Sequence, residues 1–484
     1  LIGNAKPVRS CESLASLALP NTTIESAAVD PNNPGICRVN AVTTHPPAGD
    51  KVRIWVAIPT SNWNGRFMGN GGGGFSGGSA GAVNGPAALG YAAGSTDTGH
   101  EGGSGSFALG ADGKLNWQLI RDNGHVGIHE MTVTGKVLTQ AMYGVAPRYS
   151  YFNGCSTGGR QGLMEVQRYP QDYNGVMSGA PAINWNRLHV QQMWGAVVMN
   201  TENNPVPVCK QTAATNAAIA SCDALDGVTD GVIEDPNRCK FDPKALVGTS
   251  AGGECGTFTE ADANVIRKLW EGPRRKDGGF LWYGLPKGAP LNSISPVGGT
   301  PPRPQAFGIS LEWFRYFLTQ NPQFDWTTIT TDGYERFFDQ SVEQFGAVIG
   351  TDNPDLTEFK NRGGKAIVWH GWADPLISAE GTVDYYKRVT QTMGGAPRTS
   401  DFIRLFMAPG VGHCGGGTGP APTGQMDALL AWVEEGRAPE TLTATRNAGG
   451  VTRTRPLCQY PLVARYRGTG STDDAANFTC SAGF

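Results

Sequence analysis

Histidine is scarce in this chain. Seven occur among 484 residues (His45, His100, His125, His129, His189, His370 and His413), so imidazole chemistry has few candidates. Charge is sparse as well. Only 17% of residues are charged and the net charge is −3, which leaves no electrostatic footprint for nucleic acid or an anionic membrane. No apolar run approaches the ~18 residues of a bilayer-spanning helix, so no membrane partner is expected. The absence of any C-x-x-C pair argues against zinc ribbons and redox motifs. No internal repeat is visible, which removes the solenoid and propeller classes.

What is present points to an ordered, loop-rich protein. There are 68 glycines and 32 prolines, which imply many tight turns on a scaffold. An apolar content of 39% suffices for a core, and the length fits several domains or one large domain with an insertion. Ten cysteines, an even number spread widely, favour disulfides and an oxidising compartment, secreted or periplasmic. The chain opens on Leu1 rather than methionine, as expected if a leader had been removed. Asn21-Thr22-Thr23 and Asn477-Phe478-Thr479 match glycosylation sequons, which matter only in a eukaryotic source.

Gly154-Cys155-Ser156-Thr157-Gly158 fits the G-x-S-x-G nucleophile elbow. A β-like run, Tyr149 to Phe152, precedes it, and a helix-like segment, Arg160 to Arg168, follows. Strand, tight turn and helix are the context in which this motif lifts a serine hydroxyl above a sheet. A serine hydroxyl needs a base within hydrogen-bond reach. His413 is the best candidate because it lies late, on a glycine-rich loop after an expected strand, beside Cys414. The base needs a carboxylate to hold its tautomer. Asp374, in the loop after the buried run Lys365 to His370, fits that role. The order Ser156, Asp374, His413 is that of α/β-hydrolases. If Cys155 and Cys414 pair, serine and histidine become neighbours by covalent necessity. Such a bond would close a loop of roughly 260 residues, for which the chain-entropy account gives at most about 5 kcal/mol. An oxyanion hole needs two backbone N–H donors. Thr157 is expected to supply one and the run Gly71 to Gly74 the other, with Gly73 as the choice within it.

Strands are expected at 52–58, 66–68, 175–179, 365–370 and 402–406, and helices at 126–142 and 425–435. Their alternation predicts an α/β fold with a mainly parallel sheet. Between about 183 and 352 the alternation stops. That stretch is read as an inserted lid domain, with 1–182 and 353–484 forming the catalytic core.

Gly154 to Gly162, His370-Gly371-Trp372-Ala373-Asp374 and Gly412-His413-Cys414 together resemble the tannase and feruloyl esterase family, which also includes a mono(2-hydroxyethyl) terephthalate hydrolase. The cysteines flanking the serine and the histidine are that family's specific mark. The resemblance covers most of the chain. It implies an α/β-hydrolase core, a lid inserted after the nucleophile helix, and ester hydrolysis through an acyl-enzyme. It also implies a structural calcium site at Cys222 to Val232, with Asp223, Asp226 and Asp230 giving carboxylates and Val228 and Val232 giving carbonyls. Three carboxylates in eight residues need a counter-charge, and Ca²⁺ takes six to eight oxygens. By the same resemblance Cys11 pairs with Cys37, Cys155 with Cys414, Cys222 with Cys239, and Cys458 with Cys480. Cys209 and Cys255 are left for each other.

The expected substrate is a small aromatic ester, such as one joined to plant polysaccharide or tannin, and no organic cofactor is expected. Flat acyl groups are held by apolar and stacking contacts. Trp282, Tyr283, Phe307, Trp313 and Phe314 in the lid are the candidates, and Arg303 would meet an acidic substrate. A feruloyl esterase comes first, with a tannase or terephthalate monoester hydrolase as alternatives. A serine peptidase or an inactive binding module would be a different class. The first lacks its repeat-built gate and the second a missing triad member.

Overall fold

A computed structural model describes residues 5–483. The expected core limits at residues 1 and 484 lie outside the described residues. The chain packs as two compact units. One comprises Leu1–Ile183, Asp355–Ala366 and Val433–Glu435, and the other Asn184–Pro354, Ile367–Trp432 and Gly436–Phe484.

The first unit is built on β1 (Thr22–Asp30), β2 (Asn33–Thr43), β3 (Val52–Pro59), β4 (Arg66–Asn70), β5 (Ala92–Thr96), β6 (Tyr149–Cys155) and β7 (Gly175–Gly179). Their order in the sheet is β1-β2-β3-β5-β4-β6-β7. The first three strands form an antiparallel wing, and β3 meets β5 antiparallel. From β5 through β4 and β6 to β7 the pairing is parallel. Parallel strands need crossovers. Two helices, α1 (Gly127–Tyr143) and α2 (Thr157–Arg168), lie on the chain before β6 and between β6 and β7. Every residue of β5 and β7 is buried, as expected when both faces of a parallel sheet are covered.

Small residues let these layers close. A Cβ on Gly135 of α1 would sit 2.6 Å from the Phe67 ring, and one on Gly94 of β5 would sit 2.7 Å from Met131 Sδ. Phe67 is fully buried between them, which contributes roughly 1.5–3 kcal/mol. Helix α1 ends at Gly144, whose φ of 73° gives the left-handed C-terminal stop.

The second unit carries α3 (Val208–Cys222), α4 (Ala379–Thr392), β8 (Lys365–Gly371) and β9 (Ile403–Ala408). The first two residues of β8 belong to the first unit, where Lys365 N–H donates to Asn174 O. An aromatic cluster forms part of the second unit's interior: Trp313 stacks on Phe317, and both meet Phe345 edge-on. A small antiparallel sheet, Ala421–Thr423, Thr441–Ala448 and Val451–Cys458, lies near the C-terminal end of the chain.

Disulfides join Cys11 to Cys37 in the first unit, and Cys209 to Cys255, Cys222 to Cys239 and Cys458 to Cys480 in the second. Cys155 and Cys414 are each disulfide-bonded too. Among the described residues no cysteine is free, and no helix is long and apolar enough to cross a membrane.

Candidate active site

Ser156 stands between the last residue of β6 and the first of α2, with φ 65° and ψ −120°. A non-glycine residue there stores about 1–3 kcal/mol of strain, which persists only when the surroundings over-determine it. They do so here. Ser156 N–H donates to Gly179 O, and Ser156 O accepts from the amides of Arg160 and Ala182. The motif's glycines are required by space. A Cβ on Gly154 would lie 2.4 Å from the Gly158 carbonyl carbon.

The glycine loop after β4 docks directly on this turn. A Cβ on Gly71 would lie 2.3 Å from Gly158 Cα. Gly158 N–H donates to Gly72 O at 3.1 Å, and Thr157 Oγ1 donates to Gly74 O at 2.6 Å. Gln161 braces the loop from α2: its Oε1 accepts from Gly72 N–H and its Nε2 donates to Gly77 O, both at 2.9 Å. Arg160 is completely buried and donates to the carbonyls of Gly124 and Asn123, and this burial pulls its pKa down to about 9.

These bonds correct the choice of Gly73 as an oxyanion donor. Its amide donates to Ser76 O at 3.1 Å, closing a small turn, while the amides of Gly71 and Gly72 go to Asn153 O and Gln161 Oε1. Gly74, with φ 57°, is the member of the run whose amide has no acceptor among the described residues; the same holds for Thr157.

Asp374 and His413 come together in the second unit. His413 Nδ1 lies 2.7 Å from Asp374 Oδ2. The loops that carry them are laced by backbone bonds: Trp372 N–H donates to Ala408 O and Ala373 N–H to Val411 O. A Cβ on Gly371 would lie 2.2 Å from Val411 O, so the first loop must begin with glycine. Asp374 is fully buried, and its Oδ1 accepts from the amides of Leu376 and Ile377. Burial alone would raise its pKa. Hydrogen bonds from His370 and His413 outweigh burial and hold the carboxyl well below the usual carboxylate range. With Nδ1–H given to Asp374, His413 presents Nε2 as its basic nitrogen.

Five of the remaining histidines are engaged elsewhere. His45 lies between Asp50 and Glu130, His100 meets Phe75 O, His125 meets Tyr169 Oη, His129 meets Asp172, and His189 meets Gln192. The sixth, His370, contacts Asp374 itself and was not foreseen as part of the site. Its spacing of four residues from Asp374 carries no signal by itself, because the two positions straddle a strand end and a turn.

The five aromatic candidates separate into groups. Trp313 and Phe314 are fully buried in the second unit's interior; Trp313 donates Nε1–H to Ser341 Oγ, and Phe314 packs on Phe324 and Phe337. They are packing residues, which corrects their expected role as substrate contacts. Trp282 and Tyr283 form an edge-to-face pair, and Tyr283 Oη donates to Asp384. Phe307 is half-buried at the N-terminal cap of a short helix, Gly308–Glu312, and Arg303 is exposed.

The acidic loop curls through Gly227 and Gly231, with φ 86° and 77°. Asp223 accepts from the amides of Asp230 and Gly231, Asp226 from Val228, and Asp230 from Val232. Burial first, then neighbouring carboxylates, raises Asp226 to about 6 and also raises Asp230. Arg455 balances only part of this charge, through Asp230 Oδ2 at 3.1 Å. Among the described residues the carboxylates of Asp223, Asp226 and Asp230 do not form a group whose ligand atoms all lie within 4.8 Å of one another, so an ion would have to draw them together.

The profile of the family described as "Tannase and feruloyl esterase" matches residues 37–481. A probable feruloyl esterase of Arthroderma benhamiae is 40% identical over all of this chain and 91% of its own length. Among solved structures, feruloyl esterase B from Aspergillus oryzae superposes with a TM-score of 0.83 at 28% identity, covering 98% of this chain and 100% of that one. Tannin acyl hydrolase from Aspergillus niger superposes with a TM-score of 0.86 at 25% identity, covering 97% and 94%. Fold and likeness together define a carboxylic ester hydrolase with an α/β-hydrolase core. The chain belongs to the tannase and feruloyl esterase family.

Proposed function

We propose that this chain is a serine esterase for aromatic acid esters, acting first on feruloyl esters. The observation that carries the reading is the strained Ser156 turn, held by Gly154, Gly158 and the docked glycine loop. The relatives' names, feruloyl esterase and tannin acyl hydrolase, support the substrate class.

In the proposed reaction His413 Nε2 takes the proton of Ser156 Oγ as that oxygen attacks the ester carbonyl. The tetrahedral oxyanion is held by amides of Thr157 and Gly74. His413 then hands its proton to the alcohol, leaving an acyl-serine. Water attacks next, His413 takes a proton from it, and collapse returns that proton to Ser156 Oγ as the aromatic acid leaves. Asp374 holds the Nδ1–H tautomer and stabilises the imidazolium formed in each half. For this the two halves of the site must meet, and we propose a Cys155–Cys414 bond as the link. Both are disulfide-bonded, and the other eight cysteines pair among themselves.

The segment 183–352 is proposed as the lid, with Trp282, Tyr283 and Phe307 as the remaining aromatic contacts. A calcium ion held by Asp223, Asp226, Asp230 and the carbonyls of Val228 and Val232 would brace it. Ten bonded cysteines support an extracellular or periplasmic setting, where plant polysaccharide or tannin esters are the matching substrates. Methyl ferulate, methyl gallate and mono(2-hydroxyethyl) terephthalate assayed side by side test the reading. Fastest turnover of ferulate, abolished by Ser156→Ala, is expected. Preference for gallate or terephthalate would move the substrate assignment, and unchanged rates in Ser156→Ala would reject the nucleophile.

A further inference from the structure

His370, near the end of β8, is buried completely, and both its ring nitrogens have partners. Nε2 lies 2.9 Å from Asp374 Oδ2, and Nδ1 lies 2.8 Å from Thr382 Oγ1 on α4. Two imidazoles therefore converge on one carboxylate oxygen, because His413 Nδ1 meets the same Oδ2. Each carboxylate oxygen accepts two bonds: Oδ1 takes the amides of Leu376 and Ile377, and Oδ2 takes the two histidines. Nothing is left for water, and the carboxylate cannot rotate without breaking a bond.

The chemistry fixes the direction of each bond. Oδ2 only accepts, so Nε2 of His370 carries a hydrogen. A neutral ring then has a lone pair at Nδ1, and the Thr382 hydroxyl supplies the hydrogen it needs. Asp374 thus fixes the tautomers of His370 and His413 alike, Thr382 holds the His370 ring from its other side, and His370 in turn anchors Asp374. We propose that His370 is a positioning residue of this esterase, the outer member of a relay Thr382–His370–Asp374–His413 that orients the base and limits its basicity. The proposal rests on the esterase reading above.

The second donor matters because it draws charge from Oδ2. Without it the carboxylate would stabilise the His413 imidazolium more strongly but hold the ring less firmly. Turnover should fall while the base becomes harder to deprotonate. The titratable groups acting on Asp374 are His370 and His413. Nearby charges are committed elsewhere. On α4, Asp384 is taken by Tyr283 and Arg388, and Glu380 faces Asn237 and Lys387. On β9, Arg404 donates to the carbonyls of Ser400 and Pro439.

The test is methyl ferulate hydrolysis from pH 4 to 9 by wild type, His370→Leu, His370→Gln, Thr382→Val and Asp374→Asn, each normalised to the serine titrated by a phosphonate ester. His370→Leu should lose about 10- to 100-fold in kcat with KM little changed. Its acid limb should move up by about half a pH unit or more. His370→Gln keeps an N–H near Nε2 and should recover most of kcat. Thr382→Val, nearly isosteric, should move both quantities the same way by less. Wild-type kcat and pH profile in both His370→Leu and Thr382→Val would overturn the relay. Equal losses in His370→Leu and His370→Gln with no movement of the acid limb would also overturn it, since a purely structural role gives that pattern. Should Asp374→Asn stay active, the esterase triad itself fails, which is a separate outcome.

Discussion

Two glycines, two positions apart in one loop, should respond oppositely to the same added methyl group. At Gly71 a Cβ would sit 2.3 Å from Gly158 Cα and 2.8 Å from Gln161 Oε1. Neither obstacle is a flexible chain end: the first is backbone, and the second is pinned by Gly72 N–H. Relief to ordinary van der Waals contact requires the loop to withdraw by about 1 Å from the turn that carries Ser156. A displacement of that size costs on the order of 10²-fold in rate, and losing one oxyanion donor costs about 10²–10³. At Gly73 an added Cβ meets nothing within 4 Å, and its backbone is not in the left-handed region. Gly71→Ala should therefore lose at least about 100-fold in kcat, while Gly73→Ala should stay within about threefold of wild type, as open-space substitutions do. The assay is kcat and KM on methyl ferulate, with circular dichroism to confirm that both variants fold. Equal activity in the two variants would refute the claim that the glycine loop positions the oxyanion donors.

Other consequences are open to measurement. Burial opposes charge on His45, but hydrogen bonds to Asp50 and Glu130 raise its pKa from 6.5 to about 9, so the stability it lends is complete below about pH 6.5 and is lost as pH rises through 9. Asp122 beside it, raised to about 8 by burial and then by Asp50, is stabilising in its protonated form and acts in the same direction. The melting temperature should fall from pH 6.5 to 9, and His45→Gln should flatten that slope; an unchanged slope would contradict it. Chelation of calcium should lower the melting temperature, since saturation at 100 times Kd contributes about 2.7 kcal/mol, and Asp226→Asn should remove the effect. Trp313→Ala should cost about 3–5 kcal/mol of stability while leaving the preference among aromatic esters unchanged, because its indole packs against Phe317 and Phe345.

The parts of the site that were legible in the sequence are those made by local chain geometry. Gly154 to Gly158 forms a turn from five consecutive residues, and Asp374 follows directly on a buried strand. The helix at Gly127–Tyr143 and the strand at Gly175–Gly179 could also be read from apolar spacing and turn residues. What stayed hidden depends on residues far apart. β5, Ala-Ala-Gly-Ser-Thr, has little intrinsic strand preference; Phe67 and Met131 cover it and leave room only for small side chains. Of the antiparallel wing only β3 was expected; β1 and β2 were missed, β1 because it alternates weakly and buries little. Gln161 and Gly71 matter only through each other's position. An aromatic residue in the interior and a half-buried one look alike in sequence, so Trp313 and Phe307 could not be told apart.

The central claim is that Ser156 carries the acyl group. Wild type mixed rapidly with excess methyl ferulate, quenched in acid and digested, should show the feruloyl adduct on the peptide bearing Ser156, and Ser156→Ala should show none. Full turnover with no adduct there, or with the adduct on another residue, would contradict the account.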